Sequence, residues 1–242
     1  MLNRIITLDE VDSTNNYLKL NRGELPDGTL VTARIQTAGK GRRGHEWLAD
    51  QGMLPLSLLL KQPPHPDTLT LCAGVAVCEA LEPLLPGEDL GIKWPNDIIL
   101  RGHKLCGILC ESVCFGSSMD IVCGIGVNLA QTAEFFEKAN IPHGGSVEML
   151  TGVTINDRER LAEDIAERLY SYSRSGFESV REKYVKRCLT VGKKIRIIEN
   201  GSEREAFAEG IAPNGFLICS DENGRFEVNS GEVSVRGLMD YI

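Results

Sequence analysis

Apolar positions in the first half of the chain come in short runs, separated by polar turns and interrupted by stretches of helical period. The runs predict strands over residues 4–8, 30–36, 54–60, 91–94, 97–100, 104–114 and 120–128. Between them the pattern predicts a short helix capped by Asp12 or Ser13 and running to Leu20. A longer one, capped by Asp67, carries Leu69, Cys72, Val75, Ala76 and Ala80. Pro83 and Pro86 end the longer helix, because proline lacks the backbone donor a further turn would need. Another helix is expected from Asn156, with Glu159 as the return acceptor of a capping box and Leu161, Ile165, Leu169 and Tyr172 as its buried stripe. Phe177, Val180 and Tyr184 carry the helical pattern on toward Cys188.

Beyond Leu189 the period changes. Short β runs at 194–198, 205–211, 216–220, 225–228 and 232–236 alternate with turns, three of them marked by Asn200-Gly201, Asn214-Gly215 and Asn223-Gly224. Asn and Gly tolerate the positive φ that tight hairpins demand. The expected fold class is therefore α+β in two parts: residues 1–187 with a mixed β-sheet and flanking helices, and residues 188–242 as a small antiparallel β-barrel. Neither an internal repeat nor a low-complexity linker separates them, so the parts are expected to pack closely.

Composition narrows the function. A formal net charge of −8 over 242 residues argues against a general nucleic-acid binder, whose phosphate contacts need a basic face. The eight cysteines form no C-x-x-C pair and no Cys/His cluster of zinc spacing, so no metal held by the protein alone is expected. Cys106, Cys110 and Cys114 fall on one face of a strand, as small buried hydrophobes would. No signal-peptide pattern and no apolar run of the ~18 residues a span needs are found, and a cytoplasmic protein is expected.

Against this acidic background one stretch stands out: Gly39-Lys40-Gly41-Arg42-Arg43-Gly44-His45-Glu46-Trp47. Its glycines let the backbone come close to a ligand, Lys40, Arg42 and Arg43 offer cationic donors for carboxylate or phosphate, and Trp47 can cover an apolar part of the same molecule. An ordinary solvated turn has the same composition. The spacing also satisfies G-x-G-x-x-G, but neither the following helix nor the acidic residue about 20 positions on is present, so a dinucleotide fold is not indicated. No Gly-Lys-Ser/Thr closes a Walker motif.

Four other stretches supply partners for such a loop: Ser13-Thr14-Asn15 at the start of the first helix, Lys93 to Asp97 at a strand turn, Lys104 to Glu111, and Gly124 to Asn128. Each alone has a structural explanation as a helix cap, a rigid turn, a strand-end lysine or a close sheet packing. Together and in this order, with Gln36 through Trp47, they closely resemble the biotin protein ligase family. The segment with Gly210, Gly215 and Ser230-Gly231-Glu232-Val233-Ser234-Val235-Arg236 resembles that family's SH3-like domain. The resemblance covers nearly the whole chain.

It implies a catalytic domain of the class II aminoacyl-tRNA synthetase and biotin ligase type, and a two-step ligase. Biotin and ATP, with Mg2+ brought by ATP, form biotinyl-5′-AMP and pyrophosphate. A lysine of a biotin carboxyl carrier domain then takes the biotinyl group. By resemblance Lys104 and Arg42 are catalytic. Ser13, Thr14, Gln36, Gly39, Lys40, Arg42, Lys104 and Gly107 bind biotin. Lys40, Arg42, Arg43, His45, Trp47, Lys93, Asn96 and Asn128 lie around ATP and the adenylate, and Asp97 is a candidate assisting base. Family members usually carry arginine at the Lys40 position, and arginine or lysine is common at that of His45. Lysine keeps the charge but loses the planar fork, and histidine can be neutral at pH 7. With twelve residues ahead of Ser13, the expectation is a monofunctional ligase that binds no operator DNA. Ligases of this kind can dimerise through sheet edges. The alternatives are a lipoate ligase, which also activates a carboxylate, and a biotin sensor without catalysis.

Overall fold

The computed structural model describes residues 1–44, 47–116, 118–199, 202–230 and 234–237, without the side chains of Arg43, Phe115 and 234–237. The first part is a seven-stranded sheet in the order β1-β2-β3-β7-β6-β5-β4. Its strands are β1 (Arg4–Val11), β2 (Thr29–Gln36), β3 (Met53–Lys61), β4 (Leu90–Lys93), β5 (Asp97–Leu100), β6 (His103–Phe115) and β7 (Ser118–Asn128). β1 and β2 run parallel, joined through α1 (Thr14–Asn21), and every other pairing in this sheet is antiparallel.

Helices α2 (Leu69–Leu81) and α5 (Arg158–Ser175) pack on each other over one face of this sheet. α2 is apolar almost all round because it lies between β5, β6 and β7 on one side and α5 on the other. It is preceded by a single 3-10 turn, Pro66–Thr68, so its N-cap is Thr68 and not Asp67. α5 buries Leu161, Ile165 and Leu169 as its period predicts, and its cap is Asp157, which accepts from the Arg160 N–H at 2.9 Å; the expected start at Asn156 is one residue early. Two short helices, α3 (Ala133–Lys138) and α4 (Val147–Thr151), were not foreseen, since five or six residues are too few to show a period. The stretch from Phe177 splits into a 3-10 turn and α6 (Arg181–Arg187).

The second part is a five-stranded antiparallel sheet, β11-β10-β9-β8-β12, from β8 (Lys194–Glu199), β9 (Ser202–Ile211), β10 (Leu217–Asp221), β11 (Gly224–Val228) and β12 (Ser234–Gly237). Gly215 and Gly224 take φ of +84° and +118°, as their turns require; Asn200-Gly201 and Glu232-Val233 lie outside the described residues. Cys188 and Leu189 still bond to Ile92 of β4, so the chain leaves the first sheet just before it enters the second. Trp94 seals the junction: 2% exposed, it donates from Nε1 to the Gly215 carbonyl at 3.1 Å. Burying such a ring contributes on the order of 2–3 kcal/mol.

Six cysteines are buried, with Cys110 half-buried and Cys114, near the end of β6, exposed. Burial pushes the Cys72 and Cys78 thiols up to about 12, as expected for inert small hydrophobes. Among the described residues no helix is long and apolar enough to cross a membrane.

Candidate active site

On the face of the sheet opposite α2 and α5, α1 packs on β3 and β7 at one end, around Leu18, Leu25, Val31, Leu59 and Val122. Beyond α1 the outward positions turn small. One rung across β3, β7 and β6 reads Pro55, Gly126, Gly107, and the next reads Ser57, Gly124, Leu109. Missing side chains on adjacent strands leave a hollow, bordered by Lys40, Gly41, Arg42 and Trp47. The resulting pocket holds about 500 Å³ of empty space, open solvent at its mouth included.

The loop is tied down at its ends. The Trp47 N–H donates to the Gly39 carbonyl at 3.0 Å, and a Cβ on Gly39 would lie 2.3 Å from the Trp47 carbonyl oxygen, so only glycine fits there. The Trp47 indole lies on the glycine floor: a Cβ on Gly107 or Gly126 would be 2.6 Å from its ring. Its Nε1 donates to the Met53 sulfur.

Four polar groups converge at the cationic end. Lys104, near the start of β6, places Nζ 2.7 Å from Asp97 Oδ1 and 5.1 Å from the centre of the Trp47 ring. Asp97 also accepts from Asn96 Nδ2 at 3.0 Å. Arg42 donates from Nη1 to Asn96 Oδ1 at 3.0 Å and from Nη2 to the Ser230 carbonyl of the second part, so both parts of the molecule hold its guanidinium. Lysine and arginine thus line one pocket, Lys104 against Asp97 and Arg42 against Asn96 and the Ser230 carbonyl, as cationic donors suited to an anion.

At the other end, Ser13 caps α1, its hydroxyl accepting from the Asn16 N–H at 3.4 Å, and it also lines the pocket. Capping and lining are therefore not alternatives. The Thr14 N–H, one of the unpaired donors of the helix start, goes to Gln36 Oε1 at 3.0 Å, and Thr14 Oγ1 lies 3.2 Å from the same oxygen.

Of the residues singled out in the sequence, Ser13, Thr14, Gln36, Lys40, Arg42, Trp47, Asn96, Lys104 and Gly107 come together on the lining. Gly39 stands behind Trp47 and Gln36. Lys93 and Asn128 are buried and line no part of the pocket: a strand-end position looks poised in sequence, but here it points inward. The Asn128 amide donates to the carbonyls of Gly145, at 3.1 Å, and Lys104, at 3.4 Å, which fixes the backbone that carries the lysine. Asp97, 8% exposed, is the counter-ion of Lys104. His45 and the Arg43 side chain lie outside the described residues. Asn15, Gly41, Leu109, Gly124 and Gly126, which belong to the stretches named in the sequence, also join the lining; Pro55 joins it from outside them, and Ser57 stands directly behind it. Strand alternation could have flagged Ser57, a lone hydroxyl in the leucine-rich run from Leu54 to Leu60.

The model of the biotin/lipoate A/B protein ligase family matches residues 8–128, a span that contains every lining residue of the pocket. The biotin–[acetyl-CoA-carboxylase] ligase of Paracoccus denitrificans is 35% identical over 243 residues, covering 95% of this chain and 100% of that one. The ligase of the same name from Mycobacterium tuberculosis is 33% identical, covering 86% of this chain and 79% of its own. Among solved structures, a biotin protein ligase from Aquifex aeolicus in complex with biotin and ATP superposes with a TM-score of 0.81 at 29% identity, over 98% of this chain and 100% of that one. The chain belongs to the biotin/lipoate A/B protein ligase family and is an enzyme of its biotin protein ligase branch.

Proposed function

We propose that the chain is an ATP-dependent biotin–[biotin carboxyl carrier protein] ligase working through biotinyl-5′-AMP. The observation that carries this reading is the pairing in one pocket of a neutral hydrogen-bonding group, Ser13, Thr14 and Gln36, with a cationic end, Lys104 and Arg42, while Lys40 bonds to Asn16 at the start of α1. Biotin has the same polarity: an uncharged cyclic urea at one end and a carboxylate at the other.

In the first step a biotin carboxylate oxygen attacks the α-phosphorus of ATP, the bond to the bridging oxygen breaks, and pyrophosphate leaves with its electron pair. Both reactants are anions, so the barrier is largely electrostatic, and cations preorganised near both are the main contribution the protein can make. Lys104 and Arg42 fill that role, with Asn96 orienting Arg42. Mg2+ enters with ATP as part of the substrate. Trp47 borders the substrate space, with Gly107 and Gly126 making room for its ring against the sheet.

In the second step a lysine Nζ of the carrier domain attacks the acyl carbon, AMP departs, and the amine loses a proton. An acyl phosphate is activated enough to need little base assistance. Asp97 reaches that proton only when Lys104 turns away from it toward the adenylate. Lys93 and Asn128 act indirectly, the latter through the Lys104 backbone. The two parts of the chain are read as a catalytic domain, 1–187, and an SH3-like domain, 188–242. The Paracoccus relative, matched over 100% of its length, is named for ligase activity alone, which supports a ligase without a repressor role. A cytoplasmic location accords with eight cysteines in the free state.

The test is biotin-dependent exchange of labelled pyrophosphate into ATP by the native chain and Lys104→Ala, with lipoate and octanoate in parallel. Exchange with biotin alone, lost in the variant, is expected. Exchange with lipoate instead would make the chain a lipoate ligase, and biotin binding without any exchange would make it a sensor.

A further inference from the structure

The polar groups of the pocket continue behind its wall. Lys19 Nζ is 2.8 Å from Glu111 Oε1, and Asn15 Nδ2 donates to Glu111 Oε2 at 2.8 Å. Asn15 Oδ1 is 2.6 Å from Ser57 Oγ, which is 2.7 Å from Thr14 Oγ1. Ser57 and Asn15 are buried, and Gly124 makes the room: a Cβ there would lie 2.3 Å from Asn15 Oδ1.

The protons of this row follow by elimination. A carboxylate only accepts, so Glu111 takes an Asn15 N–H and turns the Asn15 carbonyl toward Ser57. That carbonyl also only accepts, so it takes the single Ser57 proton. Ser57 then has nothing to give, and its close contact with Thr14 requires the Thr14 hydroxyl to donate to it. Gln36 Oε1 is fixed by the Thr14 backbone N–H at 3.0 Å. Thr14 Oγ1 and Gln36 Oε1, 3.2 Å apart at the pocket, are thus two oxygens with lone pairs and no proton between them. Burial pushes the Glu111 carboxyl up, but the hydrogen bonds and charge from Lys19 and the bond from Asn15 outweigh it and hold it below its ordinary value. The anchor of the row is therefore ionised at neutral pH.

We infer that Glu111, Asn15 and Ser57 are positioning residues that hold the Thr14 hydroxyl as an acceptor toward the pocket, so that the Thr14–Gln36 oxygen pair selects a ligand that donates an N–H there. The inference rests on the biotin reading for the identity of that donor, an N–H of the cyclic urea. Ser57→Ala releases the Thr14 proton, which can then turn to Gln36 and fill the acceptor pair.

The experiment is pyrophosphate exchange with biotin and ATP varied separately, on Ser57→Ala, Thr14→Val and the double variant. The expected result is a biotin KM raised about 10–100-fold by Ser57→Ala, with kcat and the ATP KM unchanged. In the Thr14→Val background the same change should add less than about threefold. Glu111→Gln, at the half-buried end of the row, gives a second measurement should Ser57→Ala fold poorly. Its amide can present either end, so a rise of about 3–10-fold in biotin KM is expected, again absent without the Thr14 hydroxyl. Equal effects in both Thr14 backgrounds, or an ATP KM rising in step, would overturn the positioning role while leaving the ligase reading in place. A native chain that neither binds biotin nor exchanges would overturn both.

Discussion

Strand β3 faces two ways. Toward α2 and α5 it presents Leu54, Leu56, Leu58 and Leu60, all in the main core; toward the pocket it presents Met53, Pro55 and Ser57, with Leu59 under α1. β7 repeats the division, with Ile121, Cys123, Ile125 and Val127 on the core face and Gly124 and Gly126 on the other. The core face holds the sheet by burial, whereas the pocket face gives up side chains, and the stabilisation they would bring, in exchange for room. Holding the sheet and holding a ligand are therefore separable along a single strand, residue by residue.

Four changes probe that separation, beginning with the largest effect. Leu58→Ala, on the core face, should lower the unfolding free energy by about 2–5 kcal/mol in a denaturant titration while leaving biotin affinity at permissive temperature unchanged. Lys104→Ala should do the reverse, lowering biotin-dependent exchange about 10²–10³-fold with a smaller shift of the unfolding midpoint than Leu58→Ala. Gly126→Ala puts a methyl group 2.6 Å from Trp47. Weaker biotin binding by about tenfold is expected, with stability moved by less than about 1 kcal/mol. Equal damage to folding and binding by any one of the three would mean the faces are not independent.

The smallest effect concerns pH. Glu79, in the helical layer, accepts from Tyr172 and Lys183 and lies near Arg168. Burial raises its carboxyl, but these partners together bring it below the ordinary 4.5. A depressed carboxyl stabilises the fold above its unfolded value and loses that contribution as pH falls through the folded one. Glu79→Gln should therefore be less stable than the native chain at neutral pH, and the gap should close in acid, with exchange kinetics at neutral pH unaltered.

Much of this division was legible in the sequence. The positions of the strands along the chain and the interest of the stretch from Gly39 to Trp47 followed from period and composition, and nine of the residues singled out do line the pocket. What stayed hidden depends on facing. Ser57 and Glu111 lie 43 and 97 positions beyond Thr14 and Thr14's side of the sheet is reached only through strand pairing. Lys93 and Asn128 carry the right chemistry at strand ends but point into the interior, because sequence gives a residue's type without its direction. Trp94, inside the stretch from Lys93 to Asp97, is the seal between the two parts.

The glycine floor under Trp47 has an optical consequence. The chain holds two tryptophans, and Trp94 is locked away at the junction with its indole N–H bonded to a carbonyl. Of the two, Trp47 alone lines the pocket, so a molecule that enters there changes the surroundings of its ring. The protein therefore carries its own fluorophore at the place where its substrate arrives, and unlabelled emission in a stopped-flow cell follows occupancy of the site in real time.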